Sequence, residues 1–436
     1  MKSTSAVEPP LWRRAALWLL LLGPLFFVSY GGANWLASQQ AEVGYIVFDW
    51  ESSIPFVAWT IIPYWIIDIL YAISLFICAS KMEMGNHAKR LLTAQLIAVF
   101  CFVLLPLQFS FERPEAEGIF GSLFAALYSF DQPFNQAPSL HIALLVILWM
   151  LYIRHLPDWA LWPFHLLCFL IGISVLTTYQ HHFIDIPTGA LLGWFSIWLW
   201  PEKGAALVRD HGLEYGPRRR TLAIYYFIAG ILFALFAVGI KGWALWLLWP
   251  AVSLLFVTLF YTYVGSKGFQ KKSNGTINSA VKWLLFSYFL GVRINSRLWT
   301  RKDNAADHID ENIWLGRFPE RSDIESNGYH TVVDMTAEFP APNSTANWYA
   351  IPCLDLVTPS KKSLIAAVEI IERHKDQGPV LVACALGYSR SAMVVIAWLL
   401  STNRAMSVDT AIEIVRAKRP AIVLKDSDRK VLERLL

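Results

Sequence analysis

The chain has 436 residues, 56% of them hydrophobic, with 20 Trp and a formal net charge of only +4. This composition excludes an ordinary soluble protein, and the small charge with no aromatic stacking platform excludes a nucleic-acid binder. The apolar excess lies before about residue 265, so an integral membrane protein is expected, followed by a segment of ordinary globular composition.

Apolar stretches of about spanning length run near 16–36, 55–79, 91–110, 139–155, 159–178, 184–201, 221–240 and 243–264. They predict a polytopic α-helical bundle of about eight spans, the fourth marginally short. The first is either a span or a cleaved signal peptide, because Arg13 and Arg14 precede it and small residues follow. Lys81, Lys89 and Arg90, then Arg154, then Lys203, Arg209 and Arg218 to Arg220, then Lys267, Lys271 and Lys272 fall on alternate connections. That alternation predicts both termini on the cytoplasmic side. With no organelle-sorting signal evident, a bacterial inner (plasma) membrane is the expected address. Cys78, Cys101 and Cys168 lie inside spans and read as packing residues. Asp68, well inside the second span, reads equally as a helix-packing hydrogen-bonder or a substrate-binding group.

Pro138-Ser139-Leu140-His141 opens the fourth span and Gln180-His181-His182-Phe183-Ile184-Asp185 opens the sixth, so both sets fall at the same outer face. His181 and Asp185 are four apart, on one side of a helix, where the carboxylate fixes the imidazole tautomer and makes a nucleophile. His141, on another helix, is placed to protonate a departing alkoxide. The bland alternative is that interfacial His and Asp merely satisfy one another. These residues resemble the type 2 phosphatidic acid phosphatase superfamily, and Pro-Ser-Leu-His is most similar to its inositolphosphoceramide synthase branch. The resemblance covers roughly Trp12 to Trp200 and implies a phosphohistidine at His181, with Asp185 orienting it, His141 as general acid and Arg113 beside Pro114 as a phosphate ligand. The family's Lys ahead of the Arg-Pro pair has no counterpart, and Ser174-Val175 stands where it has Ser-Arg. Fewer positive charges therefore face the phosphate.

Between the last span and the globular segment, residues 266–302 carry Trp283, Leu284, Phe286 and Leu290 mixed with Lys282, Arg293 and Arg297. The stretch Ala280 to Trp299 is too short in its apolar core to span, and reads either as an interfacial helix or as a basic linker. Lys267, Lys271, Lys272, Arg301 and Lys302 are expected to face anionic lipid.

The run Cys384-Ala385-Leu386-Gly387-Tyr388-Ser389-Arg390-Ser391 lies between the apolar strand Val380–Ala383 and the apolar helix Ser391–Leu400. A loop at a helix N-terminus gathers backbone N–H groups around an anion, so residues 385–389 form a candidate phosphate cradle, with Gly387 at its bend. The same field lowers the pKa of a thiol and makes Cys384 a candidate nucleophile. Arg390 can grip two phosphoryl oxygens, and Ser391 can donate to the sulfur as it leaves.

With Ile313-Trp314-Leu315-Gly316-Arg317-Phe318-Pro319, Val332 to Glu338 and Lys418-Arg419-Pro420, the segment 303–436 resembles the dual-specificity branch of the cysteine-dependent protein tyrosine phosphatases. The resemblance implies a soluble α/β domain with a central sheet flanked by helices. It also implies a general acid on a loop about thirty residues upstream of the Cys, where Asp355 stands, Asp334 being the lesser candidate. The family has His before the nucleophile; here it is Ala383. Cys353 reads as a structural thiol or a redox partner for Cys384.

The sequence thus predicts a membrane region at 1–265, a basic linker at 266–302 and a phosphatase-like domain at 303–436. A phosphate monoester on a membrane lipid headgroup or on a phosphoprotein is the expected substrate. No metal or other cofactor is implied, since both candidate mechanisms use a side-chain nucleophile. The rival reading makes the chain a membrane-anchored protein phosphatase whose helical region only binds lipid.

Overall fold

A computed structural model describes residues 11–202 and 216–435; Lys203 and Arg209, part of one basic connection, lie outside them. The chain divides into two compact units, Met1–Ala205 and Ala206–Leu436.

The first unit is helical: α1 (Leu11–Ser38), α2 (Ile61–Ser74), α3 (Lys81–Leu104), α4 (Gly118–Tyr128), α5 (Leu140–Tyr152), α6 (Asp158–Thr177) and α7 (Asp185–Leu199). Ser80 and Ser139 cap α3 and α5, their hydroxyls accepting from the N–H groups of Glu83 and Ile142. α5 is apolar on every face because α2, α3, α6 and α7 surround it. A Cβ at Gly189 would lie 2.4 Å from the Ser139 carbonyl, and one at Gly193 2.8 Å from that of Ala143. Those two glycines let α7 seat directly on α5, which brings the two histidine motifs together.

The second unit begins with α8 (Pro217–Ile240) and α9 (Leu248–Leu259), the latter continuing through a wide π-helical turn at Phe260–Val264. Among the described residues, five helices are long and apolar enough to cross a membrane: Leu11–Ser38, Lys81–Leu104, Asp158–Thr177, Pro217–Ile240 and Gly242–Phe269. Helices at Ala58–Ser74, Leu140–Tyr152 and Asp185–Leu199 occupy the other three predicted stretches but are shorter.

The linker differs from expectation in two ways. Ala280 to Trp299 is two helices, α10 (Ser279–Leu284) and α11 (Phe286–Trp299), docked on α9 by Ser253 Oγ donating to Leu284 O and Ser287 Oγ donating to Ser253 Oγ. Phe286, Leu290, Ile294 and Leu298 remain exposed at a spacing of four along α11. Lys271, expected to face lipid, is instead buried, its amine bonded to Asp334 and to Thr336 O at 2.8 Å. A carboxylate on a central strand of the sheet outcompetes the membrane surface for that charge.

The rest of the unit is a five-stranded mixed sheet in the order β1-β2-β5-β3-β4, from β1 (Ala306–Asp310), β2 (Ile313–Arg317), β3 (Thr331–Thr336), β4 (Asn347–Cys353) and β5 (Val380–Cys384). Only β1 runs antiparallel to its neighbour. Around it lie α12 (Arg321–Asn327), α13 (Lys361–His374), α14 (Arg390–Ser401), α15 (Val408–Lys418) and α16 (Asp426–Glu433). β3 and β5 are buried throughout and α14 is buried from Arg390 to Leu400; the apolar run of β5 predicts this for the middle of a parallel sheet, and β3 carries Asp334 and two threonines inside it.

Candidate active sites

The loop 384–391 joins the end of β5 to the first turn of α14. Its carbonyls are anchored from outside. Ser296 Oγ donates to Ala385 O at 2.6 Å, Arg419 donates to Leu386 O (3.4 Å) and Gly387 O (2.9 Å), and Val423 N donates to Tyr388 O at 2.9 Å. In a planar trans peptide the N–H points opposite to the C=O, so fixing four carbonyls outward turns the following amides inward, toward an anion. Gly387 sits at φ +75°, and a Cβ there would come within 2.5 Å of Gly316 C. Both facts require glycine at the bend.

Within this cradle Cys384 is 3% exposed, and Ser391 Oγ donates to its Sγ at 3.2 Å. Arg390 is clamped by Glu338, with Nη2 to Oε1 at 2.6 Å and Nη1 to Oε2 at 3.1 Å, and Nη1 also donates to Cys353 O at 2.9 Å. Its Nη2 reaches Asp355 Oδ1 at 2.8 Å, so the predicted acid and the predicted phosphate-binding guanidinium touch. Burial opposes the charge on Arg390, but Glu338 and Asp355 outweigh it and hold the guanidinium ionised. Burial pushes the Asp355 carboxyl up; Arg390 works against that shift and Glu338 adds to it. Two carboxylates facing one guanidinium leave an excess negative charge, which a proton on Asp355 relieves.

In the sequence Glu338 stands out only as the end of the Val332-to-Glu338 landmark. Its position 52 residues before Arg390 hides the pairing, and an acidic residue following a fully buried strand is the one signal available. Asp334 is no acid candidate: it accepts from Lys271, Trp348 Nε1 (3.0 Å) and Thr336 N (2.8 Å) inside the sheet. Burial raises the Cys353 thiol to about 11, which fits a structural thiol rather than a redox partner. Beside the loop, a groove of about 420 Å³ is lined by Arg293, Ser296, Arg297, Phe318, Glu320 and Phe339.

In the first unit, His181 Nδ1 lies 3.1 Å from Asp185 Oδ2 and its Nε2 3.1 Å from Ser139 Oγ, all three side chains being buried. His141 shares the first turn of α5 with Ser139; its ring stacks on Tyr64 at 4.3 Å, and its Nε2 is buried with no hydrogen-bond partner among the described residues. Arg113 is turned to the backbone, its Nε donating to Tyr179 O at 2.9 Å and its guanidinium lying over Tyr128. A cavity of about 10 Å³ touches His181, Tyr179 and Glu51. His182 is a different kind of residue. Ser110 N donates to its Nε2 at 3.0 Å, so its proton is on Nδ1 and is donated to Glu51 Oε2 at 3.0 Å. Glu51 also accepts from Phe48 N and Phe183 N, and so braces the loop that presents His181.

Residues 313–433 match the family model "Dual specificity phosphatase, catalytic domain", and residues 87–206 match "PAP2 superfamily". "Dual specificity protein phosphatase OPG106" of vaccinia virus (strain Copenhagen) is 31% identical over 128 residues, covering 28% of this chain and 75% of the viral protein. The chain belongs to the dual-specificity phosphatase family. A PAP2 superfamily domain precedes its phosphatase domain, and with the long apolar helices this marks a membrane protein. "Phosphatidylglycerophosphate phosphatase PTPMT2" of Arabidopsis thaliana is 32% identical over 139 residues, 29% of this chain. This chain spans 60% of that relative's length. The crystal structure of Tk-PTP in the active form aligns with 30% of this chain and 97% of its own, at 27% identity and a TM-score of 0.28.

Proposed function

We propose that the dual-specificity domain hydrolyses the terminal phosphate monoester of a phospholipid headgroup through a cysteinyl-phosphate. Cys384 thiolate attacks phosphorus, the bond to the headgroup oxygen breaks, and that oxygen takes the Asp355 proton. Asp355, now a carboxylate, removes a proton from water as it displaces the thiolate, and inorganic phosphate leaves. The Ala385–Ser389 amides and Arg390 hold the three phosphoryl oxygens, and Ser391 donates to the departing sulfur. The observation carrying this reading is Arg390, fixed by Glu338 under the anchored loop while touching Asp355.

A lipid is favoured over a peptide by three things: the name of the Arabidopsis relative, the exposed apolar stripe on α11 beside a groove containing Arg293 and Arg297, and the apolar helices α8 and α9 in the same unit. α11 is read as an interfacial helix, and the chain as an inner-membrane protein of about eight spans with the phosphatase domain in the reducing cytoplasm. In the first unit, His181, oriented by Asp185, is read as a second nucleophile for a lipid phosphoryl group, with His141 as acid.

A second reading rests on the first unit's own geometry. Arg113 is committed to Tyr179, Ser139 covers His181 Nε2, and the adjoining cavity is about 10 Å³. In that reading the helical region binds lipid without turnover and the chain is a membrane-anchored protein phosphatase. Phosphate release from phosphatidylglycerol phosphate and from phosphotyrosine peptides, compared for wild type, Cys384→Ser and His181→Ala, separates the two. Loss of lipid turnover on Cys384→Ser alone supports the first. Preference for peptides sinks it, and loss on His181→Ala alone reverses the ranking of the two sites.

A further inference from the structure

The loop that carries Asp355 leaves the sheet at Cys353 and turns sharply, with Leu356 at φ +58°, a conformation that a branched residue holds only when its surroundings impose it. Three contacts do so. Thr358 Oγ1 donates to Asp428 Oδ1 at 2.6 Å and Lys425 Nζ donates to Leu356 O at 3.4 Å, both from within the phosphatase domain. The third reaches Asp355 itself and comes from outside that domain. Tyr261, in the π-helical turn that ends the last apolar helix, donates its hydroxyl to Asp355 O at 2.8 Å.

Tyr261 is 1% exposed, its ring 5.3 Å from that of Tyr226 on α8, which in turn lies 6.0 Å from Tyr288 on α11. Three helices therefore immobilise this hydroxyl, and a buried tyrosine O–H needs the acceptor it has found. The extra residue of a π-turn advances the helix face and is a feature concentrated at functional positions.

We propose that Tyr261 is a positioning residue for proton transfer: the last apolar helix sets where the Asp355 carboxyl stands over the Cys384 cradle. The inference rests on Asp355 being the general acid. It makes the membrane segment part of the phosphatase's working parts rather than an anchor, and assigns a function to a residue some 50 positions before the matched domain.

The test uses the full chain in detergent and two esters that need the acid to different degrees. Phenyl phosphate releases a basic phenolate that requires a proton; p-nitrophenyl phosphate releases a stable anion that does not. Tyr261→Phe removes one oxygen and keeps the ring packing. The expected result is a loss of about tenfold in kcat/KM on phenyl phosphate, a fraction of the penalty for displacing a catalytic group by an ångström. The kcat/KM for p-nitrophenyl phosphate stays within about twofold, since it stops at formation of the cysteinyl-phosphate, before Asp355 acts as base, and general-acid assistance in that step is small for this ester. Adding Tyr261→Phe to Asp355→Asn causes no further loss. Equal losses on both esters reduce Tyr261 to a structural role, and no loss on either removes it from the mechanism; both overturn the inference. If Asp355→Asn itself fails to discriminate between the esters, the acid assignment falls and this proposal with it. If Asp355→Asn discriminates and Tyr261→Phe does not, only the Tyr261 inference falls.

Discussion

Lys271→Met provides a direct measure of how firmly the segment before the phosphatase domain is built into it. The wild-type amine bonds Asp334, Thr336 O at 2.8 Å and Thr336 Oγ1 at 3.0 Å, with both charged side chains fully buried. Methionine keeps most of the stem's packing but leaves Asp334 Oδ2 with Trp348 Nε1 as its remaining donor among the described residues. Removing one member of a buried pair costs about 3–5 kcal/mol, because the other charge stays desolvated. For a unit of this size each kcal/mol moves the melting temperature by about 2–4 °C, giving a drop of roughly 6–20 °C. Tryptophan fluorescence of the detergent-purified chain follows the transition. Lys271→Met combined with Asp334→Asn recovers much of the loss, since removing both charges of a buried pair is close to neutral. A single mutant melting with the wild type would refute the reasoning and return Lys271 to the membrane surface.

Three further variants probe the cradle and the acid beside it. Asp355→Asn lowers kcat on phenyl phosphate by about 10²–10⁴-fold and abolishes the alkaline fall of the pH–rate profile, which in the wild type marks loss of the Asp355 proton. Because the folded state raises that carboxyl, its favourable contribution is complete at acid pH and is lost as pH rises through the folded value, so Asp355→Asn gains thermal stability at pH 8 and none at pH 4. Glu338→Ala frees the Arg390 guanidinium from its bidentate clamp and lowers kcat on p-nitrophenyl phosphate by roughly 10²-fold, read by steady-state kinetics; unchanged kcat means Arg390 is oriented without it. Ser391→Ala removes the donor 3.2 Å from Cys384 Sγ, slows breakdown of the thiophosphate, and produces a stopped-flow burst of p-nitrophenolate equal to the enzyme concentration. A linear trace from the start contradicts that role.

What could be read from the sequence was what lies close along the chain. The cradle, its glycine, the strand before it and the helix after it are eight consecutive residues and their flanks, and local chemistry specifies them. His181 and Asp185 were legible as near neighbours, four positions apart and bonded at 3.1 Å, but not as two residues of one helix: α7 begins at Asp185 and His181 stands in the loop before it. The spans were placed by hydropathy, yet five helices among the described residues reach full spanning length, because a helix enclosed by others, such as α5, can be apolar all round while only 13 residues long. Lys271 was misread because charge in a sequence carries no depth: beside Lys272 it looks like one more topogenic cation, and only the fold brings Asp334 to it.

The residues that were missed share a physical role. Glu338 fixes Arg390 from 52 positions away and Glu51 fixes His182 from 131 positions away. Arg419 and Ser296 fix the cradle's carbonyls, and Tyr261 fixes the loop of Asp355. Each satisfies or orients a buried polar group of a motif without belonging to it. A motif states which atoms meet the substrate, and burial makes every remaining polar atom of those residues demand a partner. That partner is chosen by whichever chain segment the fold brings near, so its sequence distance is arbitrary. In the phosphatase half two such partners, Ser296 and Tyr261, lie before the matched domain, on α11 and on the last apolar helix. A fragment beginning at residue 303 therefore keeps every residue of the motif and loses two of the groups that aim it.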